Sequence, residues 1–81
     1  MSVDFSPAAQ SDFERLDPQN QERVLEATER FAITGHGDIK KLHGREGHYR
    51  LRVGDWRVIF TRPHGSLMRV LRVRPRASAY R

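Results

Sequence analysis

Three arginines fall within eight residues of the run His48-Tyr49-Arg50-Leu51-Arg52-Val53-Gly54-Asp55-Trp56-Arg57. Alternation about a two-residue Gly54-Asp55 turn pairs Val53 with Trp56, Arg52 with Arg57, Leu51 with Val58 and Arg50 with Ile59. One face of this hairpin is wholly apolar. The other carries Arg50, Arg52 and Arg57 together, with His48 at its far end. Directly opposed like charges destabilise a sheet, so the cluster breaks a stability rule and points to an anion site. A solvated basic face with splayed, screened arginines is the plainer reading. A turn at Pro63-His64-Gly65-Ser66, taken as a four-residue loop, sets Arg72 opposite Arg57 on the same face. Arg74 follows it, and Arg76 lies just past the strand end. Lys40, Lys41 and Arg45 lie in the Gly-rich connection before the hairpin.

Guanidinium groups hold phosphate bidentately and stabilise the charge of a pentacoordinate phosphorus during phosphoryl transfer. Arginine is a poor proton carrier because its pKa exceeds about 12, so an acid or base must come from elsewhere. The candidates are Tyr80, His48, His43 and His64. Arginines around a phenol favour its anion, which makes Tyr80 a candidate base; a terminal aromatic packed on the sheet edge is the alternative. His48 reads equally as an exposed strand histidine. Four scattered histidines, with no helical i,i+4 pair and no carboxylate pair beside them, make no metal site. Neither a Gly-rich phosphate loop nor a Ser-His-Asp set is present, and no cofactor is implied. Tyr49 and Trp56 alternate onto the apolar face and read as core rather than as base-stacking platforms.

These side chains need a scaffold. Val3-Asp4-Phe5 reads as a short strand. Ser6-Pro7 is an N-cap followed by proline at the first helical position, and Ala9, Phe13 and Leu16 then mark a helix over 7–16. Asp17-Pro18 repeats the signal for a helix from 18 to about 34, with Val24, Thr28, Phe31 and Ala32 on one side and Gly35 as its stop. Residues 35–47 are the connection. Strands follow at 49–53, 56–60 and 67–74, and Pro75 ends the last. The order is β-α-α-β-β-β, an α+β class in which an N-terminal helical hairpin covers one face of a small, mainly antiparallel sheet. Residues 1–81 read as one domain.

Composition agrees with a basic working face. The net charge is +5, but residues 1–39 hold 3 basic and 8 acidic side chains, whereas residues 40–81 hold 12 basic and 2 acidic. Such segregation suggests a polyanionic partner for the second half. Thirteen arginines against two lysines favour bidentate phosphate recognition, although a GC-rich coding bias also raises that ratio. The chain has no cysteine, which removes disulfides and thiolate metal sites. No apolar run approaches the roughly 18–20 residues of a membrane span, and the N-terminus lacks a secretory signal. A cytoplasmic protein without membrane contact is the expectation.

The second half resembles the RelE/ParE superfamily of bacterial toxins from type II toxin–antitoxin pairs. The resemblance rests on Lys41-Leu42-x-Gly44, on Tyr49-Arg50-Leu51-Arg52-Val53-Gly54-Asp55-Trp56-Arg57-Val58-Ile59-Phe60, on Val70-Leu71-Arg72-Val73-x-x-Arg76, and on Tyr80-Arg81. The helical hairpin before them matches the family layout, so the resemblance covers essentially the whole chain. It implies the RelE-like microbial ribonuclease fold. For RelE-like members it implies metal-independent endoribonuclease activity on ribosome-bound mRNA, an mRNA interferase that inhibits translation through attack of the ribose 2′-hydroxyl on the adjacent phosphate. Arg50, Arg52, Arg57 and Arg76 would then bind the phosphate and stabilise the transition state. Tyr80 would stack or transfer a proton. Lys40, Lys41, Arg45, His48, Arg72 and Arg74 would bind RNA phosphates.

Two departures bear on mechanism. Lysine is frequent in RelE-like enzymes where this chain has Arg50 and Arg52, which removes a proton donor. Many relatives carry Gly-His before the last arginine, where this chain has Arg74-Pro75. ParE-like members share the fold and inhibit DNA gyrase without nuclease activity; the retained arginines and Tyr80 favour the nuclease. A plain nucleic-acid-binding module is the third reading, marked by steep salt dependence without chemistry. The first two imply a cognate antitoxin. In the register above, Ile59, Met68 and Val70 fall on the arginine face, where they are expected to form part of the antitoxin contact.

Overall fold

Period-two alternation from His48 onward and two proline-initiated helices before it dictate the architecture. The structure, a computed structural model, describes residues 1–76. The elements are β1 (Ser2–Phe5), α1 (Pro7–Glu14), α2 (Pro18–Thr34), β2 (Asp38–Lys41), β3 (His48–Val53), β4 (Trp56–His64) and β5 (Leu67–Pro75). They form a five-stranded sheet in the order β1-β5-β4-β3-β2, antiparallel except for the parallel β1–β5 pair.

Both helix starts follow the capping logic of the sequence. The Ser6 hydroxyl accepts from the Ala9 N–H at 3.1 Å, and Asp17 Oδ1 accepts from the Asn20 N–H at 3.3 Å. Each cap is worth about 1 kcal/mol. Gly35, at φ +75°, ends α2 in the left-handed conformation. The helices pack Ala9, Leu16, Val24 and Phe31 against Leu51, Val58, Phe60, Met68, Val70 and Val73 of the sheet. Phe31 and Tyr49 flank Phe60 with ring centroids 5.4 and 5.5 Å away.

The β3–β4 hairpin has the expected register: Val53 faces Trp56, Arg52 faces Arg57, Leu51 faces Val58 and Arg50 faces Ile59. Gly54 takes φ +58° and Asp55 does not enter positive φ, as a turn with glycine at its first central position requires. A Gly54→Ala variant is expected to lose about 1 kcal/mol, read as a lower urea midpoint with an unchanged slope.

Three expectations are corrected. The connection over 35–47 contains a strand, β2, which pairs with β3 and sets Lys40 beside Arg50 and Asp38 beside Arg52. Only Ile39 is apolar in it, so alternation cannot be read. The β4–β5 loop is Gly65-Ser66 rather than four residues, because β4 runs through Pro63 to His64. Pro63 lies within a register irregularity, where no ladder N–H is needed. Arg57 therefore faces Arg74, and Arg72 faces Ile59.

The third correction follows from a bulge at Leu71. Phe60 pairs with Val70 and Ile59 with Arg72, which leaves Leu71 without a partner in β4. One extra residue reverses the alternation of β5. Met68 and Val70 thus turn onto the helix side, fully buried in the core, and Ile59 is only 5% exposed. None of the three offers an exposed antitoxin contact.

Candidate functional site

On the sheet face away from the helical core, the register lays the charged residues in transverse rows. Asp38, Arg52, Arg57 and Arg74 form one row across β2, β3, β4 and β5. Lys40, Arg50, Ile59 and Arg72 form the next. His48, Thr61, Arg69 and Asp4 form a third. The rows differ sharply in how their arginines are occupied.

In the second and third rows each arginine has an aspartate. Arg50 Nη1 donates to Asp38 Oδ1 at 3.1 Å and to the Asp38 carbonyl at 3.0 Å. Arg69 Nε donates to Asp4 Oδ1 at 3.2 Å. Arg72 grips Asp12 of α1 with two bonds, Nε to Oδ2 at 2.8 Å and Nη2 to Oδ1 at 3.0 Å. Asp12 also accepts the Val73 N–H at 2.9 Å, which satisfies a backbone donor at the edge of β5 beyond β1. Burial pushes the Asp12 carboxyl upward, but the bond from Arg72, the Val73 N–H and the charges of Arg72 and Arg74 outweigh it and hold its pKa below the ordinary carboxylate value.

The first row is different. Arg57 is 4% exposed and has no carboxylate partner. Its Nη1 donates to the carbonyls of Gly54 at 3.3 Å and Trp56 at 3.1 Å, while its Nε has no hydrogen-bond partner. A buried guanidinium with an orphan N–H carries a large desolvation cost unless an anion completes it. Arg52 and Arg74, on either side, make no side-chain hydrogen bond or ion pair among the described residues. Arg76 is drawn to the same end of the sheet: its N–H donates to the Asp55 carbonyl at 2.8 Å, on the turn that receives Arg57. Its side chain is exposed. Arg52, Arg57, Arg74 and Arg76 thus gather at the β3–β4 turn without an ion pair among the described residues.

The other candidates spread out. Lys40 lies on the arginine face and Lys41 on the helix side; both are exposed, as is Arg45. With Leu42, His43, Gly44 and Glu46 they border a shallow basic hollow of about 630 Å³. His48 keeps the predicted face but lies in the third row, its Nδ1 3.1 Å from the Glu46 carbonyl. His64 Nδ1 is 2.8 Å from the Ser66 hydroxyl within the exposed β4–β5 turn, an arrangement that fixes the turn. Tyr80 lies outside the described residues. Sequence reasoning missed Asp4, Asp12 and Asp38 as the arginines' partners; Asp12 and Arg72 are sixty residues apart and share no local pattern. Among the described residues no three His, Asp or Glu side chains gather as metal ligands, and no helix is long and apolar enough to cross a membrane.

Comparison with known proteins follows the geometry. Residues 3–80 match the family model of the ParE toxin of the type II toxin–antitoxin system parDE. No curated protein sequence gives a match. The fold is similar to the RelB–RelE antitoxin–toxin complex from Methanococcus jannaschii, with a TM-score of 0.75 and 25% identity over 94% of this chain and 93% of that one. It is similar to the RelBE2 toxin–antitoxin complex from Mycobacterium tuberculosis, with a TM-score of 0.63 and 27% identity over 93% and 96%. The DinJ–YafQ toxin–antitoxin complex from E. coli shares the fold at a TM-score of 0.77 and 15% identity over 99% and 97%.

Proposed function

The chain belongs to the ParE toxin family of type II toxin–antitoxin systems, and from the arginines at its β3–β4 turn we propose that it is a metal-independent endoribonuclease of ribosome-bound mRNA, held in check by a cognate antitoxin. The observation that carries this reading is the uncompensated first row. A phosphodiester is the anion that such a row would take: Arg52 and Arg76 are exposed, and with Arg74 they lie at the end of the sheet where Arg57 has no carboxylate partner.

In the proposed reaction the ribose 2′-oxygen attacks the adjacent phosphorus. The bond from phosphorus to the 5′-oxygen breaks, leaving a 2′,3′-cyclic phosphate and a 5′-oxygen that takes a proton from water to become the 5′-hydroxyl. Negative charge builds on the non-bridging oxygens in between, and fixed guanidinium donors stabilise that charge more than they stabilise the ground state. None of the four arginines removes the 2′-hydroxyl proton; that role falls to Tyr80. Translation stops because the message is cut, which places the action in the cytoplasm.

The test is a reconstituted translation reaction with mRNA 5′ ends mapped by primer extension. The wild-type chain should give new ends inside codons, only with ribosomes and equally in EDTA. Arg76→Ala and Tyr80→Ala should each lower cleavage by about 10²-fold or more, with the circular dichroism spectrum unchanged. The family model, that of the ParE toxins, favours a second reading: non-enzymatic inhibition of DNA gyrase. Intact mRNA together with DNA damage on expression would select it.

A further inference from the structure

A second concave feature lies at the same end of the sheet but around the edge of β5. It is a groove of about 360 Å³ between the C-terminal end of α1 and β5, lined by Asp12, Arg15, Leu16, Trp56, Arg72, Val73, Arg74 and Pro75. Leu16, Trp56, Val73 and Pro75 make its walls apolar. Trp56 packs partly on the core but remains half-buried, so part of its indole is presented to the groove. The charges are lopsided. Arg72 is occupied by Asp12, whereas Arg15 and Arg74 make no side-chain hydrogen bond or ion pair among the described residues. An aromatic wall flanked by two guanidiniums that make no ion pair among the described residues fits a flat ring joined to an anion.

Arg74 connects this groove to the candidate site, because it borders the groove and faces Arg57 in the sheet register. A chain whose phosphates follow the arginine row would therefore reach the groove with its next unit. We propose that the groove is a nucleotide subsite of a single-stranded RNA, in which a base lies on Trp56 and its phosphate is held by Arg15 and Arg74. The choice of RNA over another anion rests on the ribonuclease reading; the shape and charge of the groove do not. Stacking on an aromatic ring suits every base, so the subsite contributes affinity and placement rather than sequence choice.

Trp56 is the sole tryptophan, so its fluorescence reports the groove directly. The purified chain is titrated with a single-stranded hexaribonucleotide and with nucleoside 5′-monophosphates, with N-acetyltryptophanamide as the correction for absorbed light. Saturable quenching of Trp56 is expected, weakened about tenfold in Arg15→Ala, with a steeper salt dependence for the hexamer than for the monophosphates. Absence of quenching, or equal affinity in folded Arg15→Ala, would overturn the subsite. Inorganic phosphate or polyglutamate competing as well as the nucleotides would also overturn it, the latter in favour of an acidic protein segment. The outcome is separable from the nuclease test. Quenching with intact mRNA keeps the subsite and removes the enzyme, and cleavage without quenching does the reverse.

Discussion

Arg57→Met is expected to make the protein more stable while removing its activity. The substitution deletes a guanidinium that is 4% exposed, lacks a carboxylate and leaves Nε without a partner. Replacing a buried, imperfectly compensated charge by an apolar side chain of similar length is often stabilising, here by about 1–2 kcal/mol. Two bonds to the Gly54 and Trp56 carbonyls are lost; Gly54 is exposed, so water replaces the donor there, whereas Trp56 is half-buried and the bond lost there offsets part of the gain. Cleavage of translated mRNA should fall by about 10²–10³-fold, the usual consequence of removing one fixed donor from a developing oxyanion. Urea midpoints and primer extension measure the two effects separately. Arg69→Ala is the control: Arg69 is bonded to Asp4 in the third row, and cleavage should stay at the wild-type level. If Arg57→Met loses stability and keeps cleaving, Arg57 is a fastener of the turn and the site must lie elsewhere.

Such opposition between stability and activity is what a binding site built from like charges implies. Three aspartates, Asp4, Asp12 and Asp38, compensate the arginines of the second and third rows. They leave the first row positive and mark where it ends on the side away from the β3–β4 turn. The arrangement explains how one face can carry six arginines in a small sheet without the helices being repelled from the other side. Repulsion is concentrated where an anion would relieve it.

Much of this was legible in the sequence. The β3–β4 register follows from strict alternation about a glycine that must adopt positive φ, so Arg52 opposite Arg57 could be read directly. Both helix starts are local signals, and local signals survive folding. The third long strand was not legible in detail. A bulge at Leu71 and an irregularity at Arg62-Pro63 add residues whose cost and benefit depend on the neighbouring strand, not on the segment itself. Arg72 and Arg74 stay on the expected face because the shift at Arg57 is two residues and preserves parity, but Arg74 rather than Arg72 comes to lie opposite Arg57. Met68 and Val70 lie beyond the bulge, where parity is reversed. Burial of Arg57 was equally hidden, since arginine in an alternating polar position normally reads as solvated.

Asp12→Ala is expected to cost about 2 kcal/mol, a large share of the stability of a domain this small. The carboxylate accepts three bonds, two from Arg72 and one from the Val73 N–H. Its removal orphans a backbone donor and frees a guanidinium; because Arg72 is 43% exposed, water recovers part of that loss. The effect should depend on pH in a definite direction. The folded-state pKa of Asp12 is depressed, so its contribution is full above the unfolded-state value of about 3.9 and disappears as pH falls through the lower folded value. Urea denaturation at pH 7, 4 and 3 should therefore show the gap between wild type and Asp12→Ala narrowing towards acid. Asp12→Asn retains an acceptor for Val73 but not the charge, and should fall between the two at pH 7. A gap that stays constant from pH 7 to 3 would mean that the side chain acts through packing alone. A gap that narrows identifies the charged carboxylate, through Arg72 and the Val73 N–H, as the contact that fastens α1 to β5 beside the strand position of Arg74.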